Sequence, residues 1–560
     1  MTTTIRQRAG AVKANLKAKT GLSGWVLPKE ETSFADKDSY SNIDSDVTPL
    51  ERRTWTTWTI FGFWVSDAMN AQGWMAPASI IAVGLTYREA IYSLILGLGI
   101  VSIPLVLNGA IGAHLHVPFP VARSSFGFLF ARFAVVTRMV TALFWHAIQT
   151  YTGSTALTQM LRAIWPSYLD IPNHLPASAG ITSQQLLSHF LFWSIQFPIL
   201  LIPPHKLRWF FVFKVIVTVT ASTATVIAMT SKAGGTGDIW DQEYRVHGAA
   251  RSWLTLAAMM SCAGGWATMA TNVPDFTRYL KSPKGVYWQG FFLPFIGLML
   301  GLFGIISCSA AKVVYGEYIW NPLVLADKWD GPAGRCGAFF VGLCWVVAQI
   351  GTNLSANVIS YANDMCSLFP KYINIRRGVV FAAIIGGWVM VPWKIVSSAQ
   401  SLLTFMTGLA IFLAPISAIL ACDYWLVKKR HVDVPSLYRR HARYKYWHGI
   451  NWRAAVAFLC SVTPNIPGLA RAVNPSIHLD SGIIHVYDMN YLWGLTSATF
   501  VYFTLSYFFP APETLISESI HDDPVLHGVE YTPPESSDST SEKDKVDITV
   551  QPKAREFGEV

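Results

Sequence analysis

The sequence predicts an all-α polytopic membrane protein with about twelve transmembrane helices, as two observations indicate. Hydrophobic residues make up 52% of the chain and charged residues only 14%, whereas soluble domains carry roughly 25% charged residues. Windows of about 19 residues also locate separate apolar segments that are long enough to cross a bilayer. The predicted spans are 58–84, 90–112, 132–163, 185–203, 208–230, 251–272, 287–312, 334–364, 378–396, 401–427, 452–471 and 489–510.

The loops between the spans predict that both termini lie on the cytoplasmic side. In that orientation the inner loops hold most of the Lys and Arg residues, including those at 428–430 and 439–445, as the positive-inside rule requires. An even number of spans fits the same orientation. The net charge of +9 follows from this topology and from contact with anionic lipid, so no nucleic-acid partner is expected.

The chain divides into an N-terminal cytoplasmic tail at 1–50, a transmembrane domain at 51–510 and a C-terminal cytoplasmic tail at 511–560. The first tail lacks the apolar core of a cleavable signal peptide. The second is polar and rich in Pro, Ser and Glu, so it cannot bury a core and is predicted to be disordered. Seven cysteines without CxxC spacing predict neither a disulfide framework nor a metal site.

Small and polar residues interrupt two of the spans at mid-membrane depth. The interruptions are Ser66–Gly73 in the first span and Ser261–Thr268 in the sixth. Backbone groups freed from a helix in hydrocarbon cost several kcal/mol each (roughly,), so such breaks persist where they line a cavity or a ligand. Interrupted helices in matching positions of two halves are typical of a transporter's substrate site.

The matching breaks also predict an inverted repeat. Residues 58–230 and 251–427 each contain five spans, and an odd number of spans per half places the second half upside down relative to the first. The spans within 452–510 would then be peripheral additions. The chain contains no GxxxxGK[ST] loop, so a secondary transporter is expected rather than a nucleotide-driven pump or an enzyme.

The third span carries Trp145 and Gln149. Positions i and i+4 share a helix face, so an indole and a carboxamide project into the same space. A flat heterocycle with amide-like groups could stack on the indole and pair with the carboxamide. The alternative is that Trp145 is packing and Gln149 joins two helices.

The sixth and eighth spans offer further candidates for this site. Trp266 follows Gly264 and Gly265 at the break, where a second aromatic wall would sandwich a planar ligand. Asn353 and Asn357 share a face of the eighth span, and buried amides need partners that a substrate could supply. Interfacial anchoring of the tryptophan and close packing of the small residues near the asparagines are the alternatives.

Ionisable residues inside spans are candidates for coupling, because a buried charge costs roughly 3 kcal/mol or more. Asp67 lies in the first break, and Asp275 and Asp364 lie near the inner ends of the sixth and eighth spans. Each could carry a coupling proton or pair with a basic residue. The partners considered are Arg123, Lys214 and Arg278. For Asp275 and Asp364 a purely structural ion pair is an equal alternative.

Several separated motifs resemble one transporter family. They are Arg53-Thr54-Trp55, Val117–Val121 with Arg123–Gly127, Trp145 with Gln149, Trp266–Thr268 with Pro274–Tyr279, Thr352-Asn353 with Asn357, and Pro415 with Asp423-Tyr424. The chain resembles the nucleobase-cation symporter family, the first of the two families so named, and within it the fungal Fur-like uracil/allantoin permease branch. The resemblance covers residues 48–510.

This resemblance implies a LeuT-like fold of five plus five inverted spans with two extra helices. It implies that Trp145 and Trp266 sandwich the heterocycle, while Gln149 and Asn357 hydrogen-bond its edge. Bacterial relatives hold a sodium ion between the first and eighth spans, near the positions of Ala348, Gly351 and Thr352. Gly351 lacks the expected hydroxyl ligand, so proton coupling is expected instead, with no cofactor.

The resulting expectation is a plasma-membrane proton symporter that imports uracil, allantoin or uric acid by alternating access. Phe405 and Met406 in the tenth span are candidates for an outer gate, since both can fill and vacate a narrow path. Uridine, thiamine and nicotinamide riboside remain alternative substrates, and a channel or a non-transporting receptor remains an alternative class. The expected partners are the heterocycle, the bilayer and, through lysines of the tails, the ubiquitination machinery.

Overall fold

The computed structural model describes residues 22–28, 40–202, 206–237 and 239–521. Over these residues the chain folds into helices joined by loops, with isolated β-bridges and no strand. The predicted all-α class is confirmed. Within the same residues, six helices are long and apolar enough to cross a membrane by length and composition.

The first half builds the first five predicted spans. Its helices are α1 (Thr57–Ala68), α2 (Ala71–Ala82), α3 (Tyr87–Leu115), α4 (Ala131–Ile164), α5 (Ser183–Leu200) and α6 (Arg208–Ala233). α1 and α2 together form the first span and are separated at Met69 and Asn70. The predicted interruption in the first span is therefore confirmed.

The second half repeats this arrangement. Its helices are α7 (Gly248–Gly265), α8 (Ala267–Asn272), α9 (Gln289–Tyr315), α10 (Gly331–Thr352), α11 (Val358–Leu368), α12 (Ile375–Trp388) and α13 (Ala399–Cys422). α7 and α8 form the interrupted sixth span, and they meet at Trp266. A π-helical turn at Asn353–Asn357 joins α10 to α11. α14 (Trp452–Val462) and α15 (Asn490–Phe508) follow.

The ninth span is shorter than the sequence predicts. α12 ends at Trp388, and the predicted span continued to residue 396. Val391 has a positive φ of 46° and is followed by Pro392. A left-handed residue next to proline cannot continue an α-helix, so the chain turns there.

The residues that flank the transmembrane domain on both sides hydrogen-bond to its loops. The side-chain Nδ2 of Asn42 donates to the carbonyls of Ile373 at 2.8 Å and Pro370 at 3.1 Å. Residues 511–521, placed by the sequence in a disordered tail, instead pack on a loop: the Val434 N–H donates to the Ile520 carbonyl at 2.9 Å. The rest of the C-terminal tail, with its lysines, lies outside the described residues.

Glycine allows α4 and α10 to pack closely. A Cβ on Gly342 of α10 would lie 2.7 Å from the carbonyl oxygen of Ala156 and 3.0 Å from the backbone N of Met160, both on α4. Backbone atoms cannot move aside as a flexible side chain can. Glycine therefore lets α4, which carries Gln149, lie close to α10, which leads into the π-helical turn at Asn353–Asn357.

We predict that Gly342→Ala destabilises the protein by about 1–3 kcal/mol, because the added methyl group overpacks this contact. Gly99→Ala is the matched control, since a Cβ at Gly99 of α3 meets nothing within 4 Å. Thermal unfolding of the purified proteins in detergent measures both. A melting temperature of Gly342→Ala equal to that of Gly99→Ala would contradict the packing argument.

Candidate functional site

A cavity lies where the two interrupted spans meet α4, α10 and α13. It encloses about 850 Å³, part of it open to solvent. Among the sequence candidates it is lined by Asp67, Trp145, Gln149, Trp266, Thr352, Asn357 and Met406. Phe405, Ala348, Gly351, Asp275 and Asp364 are outside its lining. The structure thus brings the two indoles and the two carboxamides to one space.

Side chains satisfy the backbone at the first break. The Oδ1 of Asn70 accepts from the Gly73 N–H at 3.0 Å, and its Nδ2 donates to the Asp67 carbonyl at 2.7 Å. The Ala71 N–H donates to Oε1 of Gln349 on α10 at 3.2 Å. The gap between α1 and α2 is therefore stable without water, and the polar residues beside it face a protein cavity.

Two glycines shape the second break. A Cβ on Gly265 would lie 2.7 Å from Cε of Met406, and one on Gly264 would lie 3.1 Å from Cβ of Ala410. α13 can therefore approach the end of α7 closely. Trp266 follows directly, and its ring contacts Trp64 edge-on with centroids 5.8 Å apart.

Trp145 and Gln149 share one buried face of α4. The ring of Phe405 meets Trp145 edge-on with centroids 5.8 Å apart, so one candidate gate residue contacts a residue of the cavity wall. The Gln149 side chain is 2% exposed, and its Oε1 has no protein partner among the described residues. A buried polar atom left unpaired costs roughly 1–3 kcal/mol. Gln149 is suited to bind a ligand.

The π-helical turn sets the orientation of Asn357. Asn357 donates through Nδ2 to Oδ1 of Asn353 at 2.9 Å. Asn353 in turn donates to Oε1 of Gln196 at 2.8 Å and to Oγ1 of Thr150 at 3.2 Å. Asn353 is a positioning residue, and the carbonyl oxygen of Asn357 is the group left for a ligand. The partners come from α4 and α5, so sequence spacing within α10 and α11 could not reveal them.

Lys214 of α6 occupies the space between the first and eighth spans. Its buried ammonium donates to the Ser66 carbonyl of α1 and, at 2.9 Å, to Oγ1 of Thr352. A Cβ on Gly351 would lie 2.5 Å from Cδ of Lys214, so glycine makes room for this side chain. Resemblance to bacterial relatives places a sodium ion near Ala348, Gly351 and Thr352. The Lys214 ammonium binds the Thr352 hydroxyl, and its side chain fills the space beside Gly351, so the residues present do not fit a second cation there.

Asp67 lies next to this lysine. It interacts electrostatically with Lys214, and its Oδ1 accepts from Oγ of Ser355 at 3.4 Å. Lys214 is one of the basic residues that the sequence analysis considered for Asp67, and a role of Asp67 in coupling stays a prediction. Ala348 is fully buried in α10, and its role in coupling stays a prediction.

Asp275 and Asp364 pair with Arg138 of α4 rather than with Arg123, Lys214 or Arg278. Arg138 donates through Nη2 to Oδ2 of Asp275 at 3.0 Å and through Nε to Oδ2 of Asp364 at 2.9 Å. All three side chains are fully buried. The sequence analysis considered basic residues near the span ends and missed Arg138. A single arginine inside an apolar span, which must find a counter-charge, was the available signal.

Residues 46–494 match the profile of a family described as a permease for cytosine/purines, uracil, thiamine and allantoin. The chain belongs to this nucleobase-cation symporter family. Its members are permeases, so the protein is a membrane transporter of small heterocyclic compounds and not an enzyme.

Alignments with relatives cover most of the chain. An uncharacterised permease of Schizosaccharomyces pombe is 38% identical over 90% of both chains. The uracil permease of Saccharomyces cerevisiae is 33% identical over 89% of this chain and 81% of its own. The allantoin permease of the same yeast is 31% identical over 88% of this chain and 80% of its own.

A solved structure confirms the LeuT-like architecture. Mhp1, a nucleobase-cation-symport-1 family transporter in a closed conformation with bromovinylhydantoin bound, superposes with a TM-score of 0.68. The sequences are 21% identical, and the match covers 84% of this chain and 97% of Mhp1. This similarity establishes the fold, and the roles of individual site residues remain predictions.

We predict that Arg138→Leu destabilises the folded protein by roughly 3–5 kcal/mol, because two buried carboxylates lose their counter-charge. Lys328→Ala is the control: its ion pair with Glu317 is exposed, and we expect little change in stability. Fluorescence-detected size-exclusion chromatography after heating compares the two. Equal melting curves for Arg138→Leu and wild type would show that the buried pairing does not stabilise the fold.

Proposed function

We propose that this protein is a proton symporter of the plasma membrane that imports a nucleobase or related planar heterocycle, with uracil and allantoin as the first candidates. The observation that carries the proposal is the shared cavity of Trp145, Trp266, Gln149 and Asn357. Indole faces supply stacking worth about 1 kcal/mol beyond area burial. Carboxamide oxygens accept hydrogen bonds from ring N–H groups.

The charge of the cavity favours a neutral substrate. Asp67 is the one charged side chain among the described residues that line it, and Lys214 lies beside Asp67. The two opposite charges offset one another, so a cationic heterocycle such as thiamine or nicotinamide riboside gains little there. The relatives named as uracil and allantoin permeases support the same choice.

Lys214 supports proton coupling. Its ammonium bridges α1, which belongs to the first repeat's broken span, and Thr352 at the end of α10. Loss of its proton would weaken both hydrogen bonds and free the first span to move against α10. An inward proton movement through 100 mV supplies about 2.3 kcal/mol to drive uptake.

Alternating access would move the broken spans relative to α4 and α10. Met406 packs on Gly265 beside the cavity, and Phe405 contacts Trp145. α13 therefore touches both walls of the proposed substrate site. We propose that these two side chains form the outer gate, since apolar side chains can withdraw without leaving polar groups unpaired.

We predict that Gln149→Ala and Asn357→Ala each abolish uptake of radiolabelled uracil and allantoin, while a fluorescent fusion still reaches the cell surface. Each change removes a hydrogen-bonding group from the cavity. Thr155→Val is a control on α4, because its Oγ1 donates to the Tyr151 carbonyl at 3.2 Å and it is outside the cavity lining. Wild-type uptake by both alanine variants would refute the site.

We further predict that a protonophore abolishes accumulation by the wild-type protein, and that Lys214→Met transports without accumulating substrate. The methionine is an unbranched side chain of similar shape, one atom shorter than lysine, and it cannot carry a proton. Lys232→Met is the control on the same helix, since Lys232 lies in its exposed last turn. Accumulation that requires external sodium, or full accumulation by Lys214→Met, would exclude this coupling scheme.

A further inference from the structure

The cavity carries polar groups that stacking on the indoles and pairing with Gln149 and Asn357 leave unused. Thr268 and Asn272 both line it from α8. They are 5% and 1% exposed, and the Oγ1 of Thr268 and the Oδ1 of Asn272 have no protein partner among the described residues. Buried polar atoms are normally paired, so two such atoms on one cavity wall require an explanation.

The helix break explains why the Thr268 hydroxyl is unpaired. Buried threonines in helices commonly donate to the carbonyl four residues earlier, as Thr271 does to Ala267 at 2.9 Å. For Thr268 that carbonyl belongs to Gly264, on the other side of the break at Trp266. The interruption therefore withholds the usual partner from a hydroxyl that lines the cavity.

A bond to a neighbouring helix fixes the amide of Asn272. Its Nδ2 donates to Oγ of Ser360 on α11 at 2.7 Å. Whichever amide atom Ser360 binds, the other is left without a protein partner, as an acceptor or a donor. Thr268 and Asn272 are four residues apart on α8, so they share a face and are separated by about 6 Å of helix rise.

We infer that Thr268 and Asn272 form a second polar wall of the substrate site, which binds hydrogen-bonding groups beyond the ring edge held by Gln149 and Asn357. The inference rests on the proposed function. It favours a heterocycle with polar groups on a second edge or on a substituent, as in a hydantoin that carries a urea group. A heterocycle with a single polar edge leaves this wall unpaired.

The test compares two ligands that differ in one polar substituent. Allantoin is hydantoin with a ureido group. Each ligand competes with uptake of the labelled heterocycle that the wild-type protein transports, and the difference between the two inhibition constants reports on the ureido group alone. In Thr268→Val, which removes only the hydroxyl, we expect allantoin to inhibit at least fivefold more weakly while hydantoin changes less than twofold. Asn272→Leu should shift the same way. Surface expression of each fusion is measured in parallel.

A control separates substrate contact from helix stability. Thr271→Val removes a hydroxyl from the same helix that is outside the cavity lining, and we expect no change for either ligand. Reproduction of the selective loss of allantoin by Thr271→Val would overturn the inference.

The outcomes also separate this inference from the proposed function. If the wild-type protein takes up no labelled nucleobase or related planar heterocycle, the proposed function fails. Suppose instead that the wild-type protein transports. If the inhibition constants of allantoin and hydantoin in Thr268→Val and Asn272→Leu equal those of wild type, or if both ligands weaken equally, the second polar wall is wrong and the proposed function stands.

Discussion

The structure depends on satisfying backbone groups where water is excluded. At the first break, Gln349 of α10 accepts from the Ala71 N–H at 3.2 Å and donates to Oε1 of Gln72 at 3.0 Å. One side chain thus closes the gap in the first span and joins it to α10. Hydrocarbon offers no alternative partner. The hydrogen bonds of Gln349 consequently hold together the break, the cavity beside it and α10.

Buried charges obey the same constraint and join elements distant in sequence. Arg138 of α4 joins Asp275, just after α8, to Asp364 in α11. Lys214 of α6 joins α1 to the end of α10. Each charge is held by partners from two other elements because a lone charge at this depth is too costly. The ion pairs of Arg138 are outside the lining of the cavity, whereas Lys214 bonds Thr352, which lines it.

The cavity itself combines satisfied and unsatisfied amides. Asn353 and Gln349 have their amides paired with neighbouring helices, and both support a neighbour that lines the cavity. The Oε1 of Gln149 has no protein partner. This division suits a site that keeps its shape while exchanging ligands, since the supporting amides stay bonded whether or not substrate is present. We propose that substrate contributes the missing hydrogen bond at Gln149.

The sequence by itself determined the all-α membrane class, both helix breaks and the family, because hydropathy, glycine placement and motif order are local properties of the chain. It also nominated Trp145, Gln149, Trp266 and Asn357, which one cavity gathers. Only the tertiary structure decided the partners of the charges: Arg138 lies 137 residues from Asp275 and 226 from Asp364. The same holds for Lys214, whose fit beside Gly351 depends on how α6 packs against α10. Pairing across helices follows from distance in space, which spacing along a single chain does not encode.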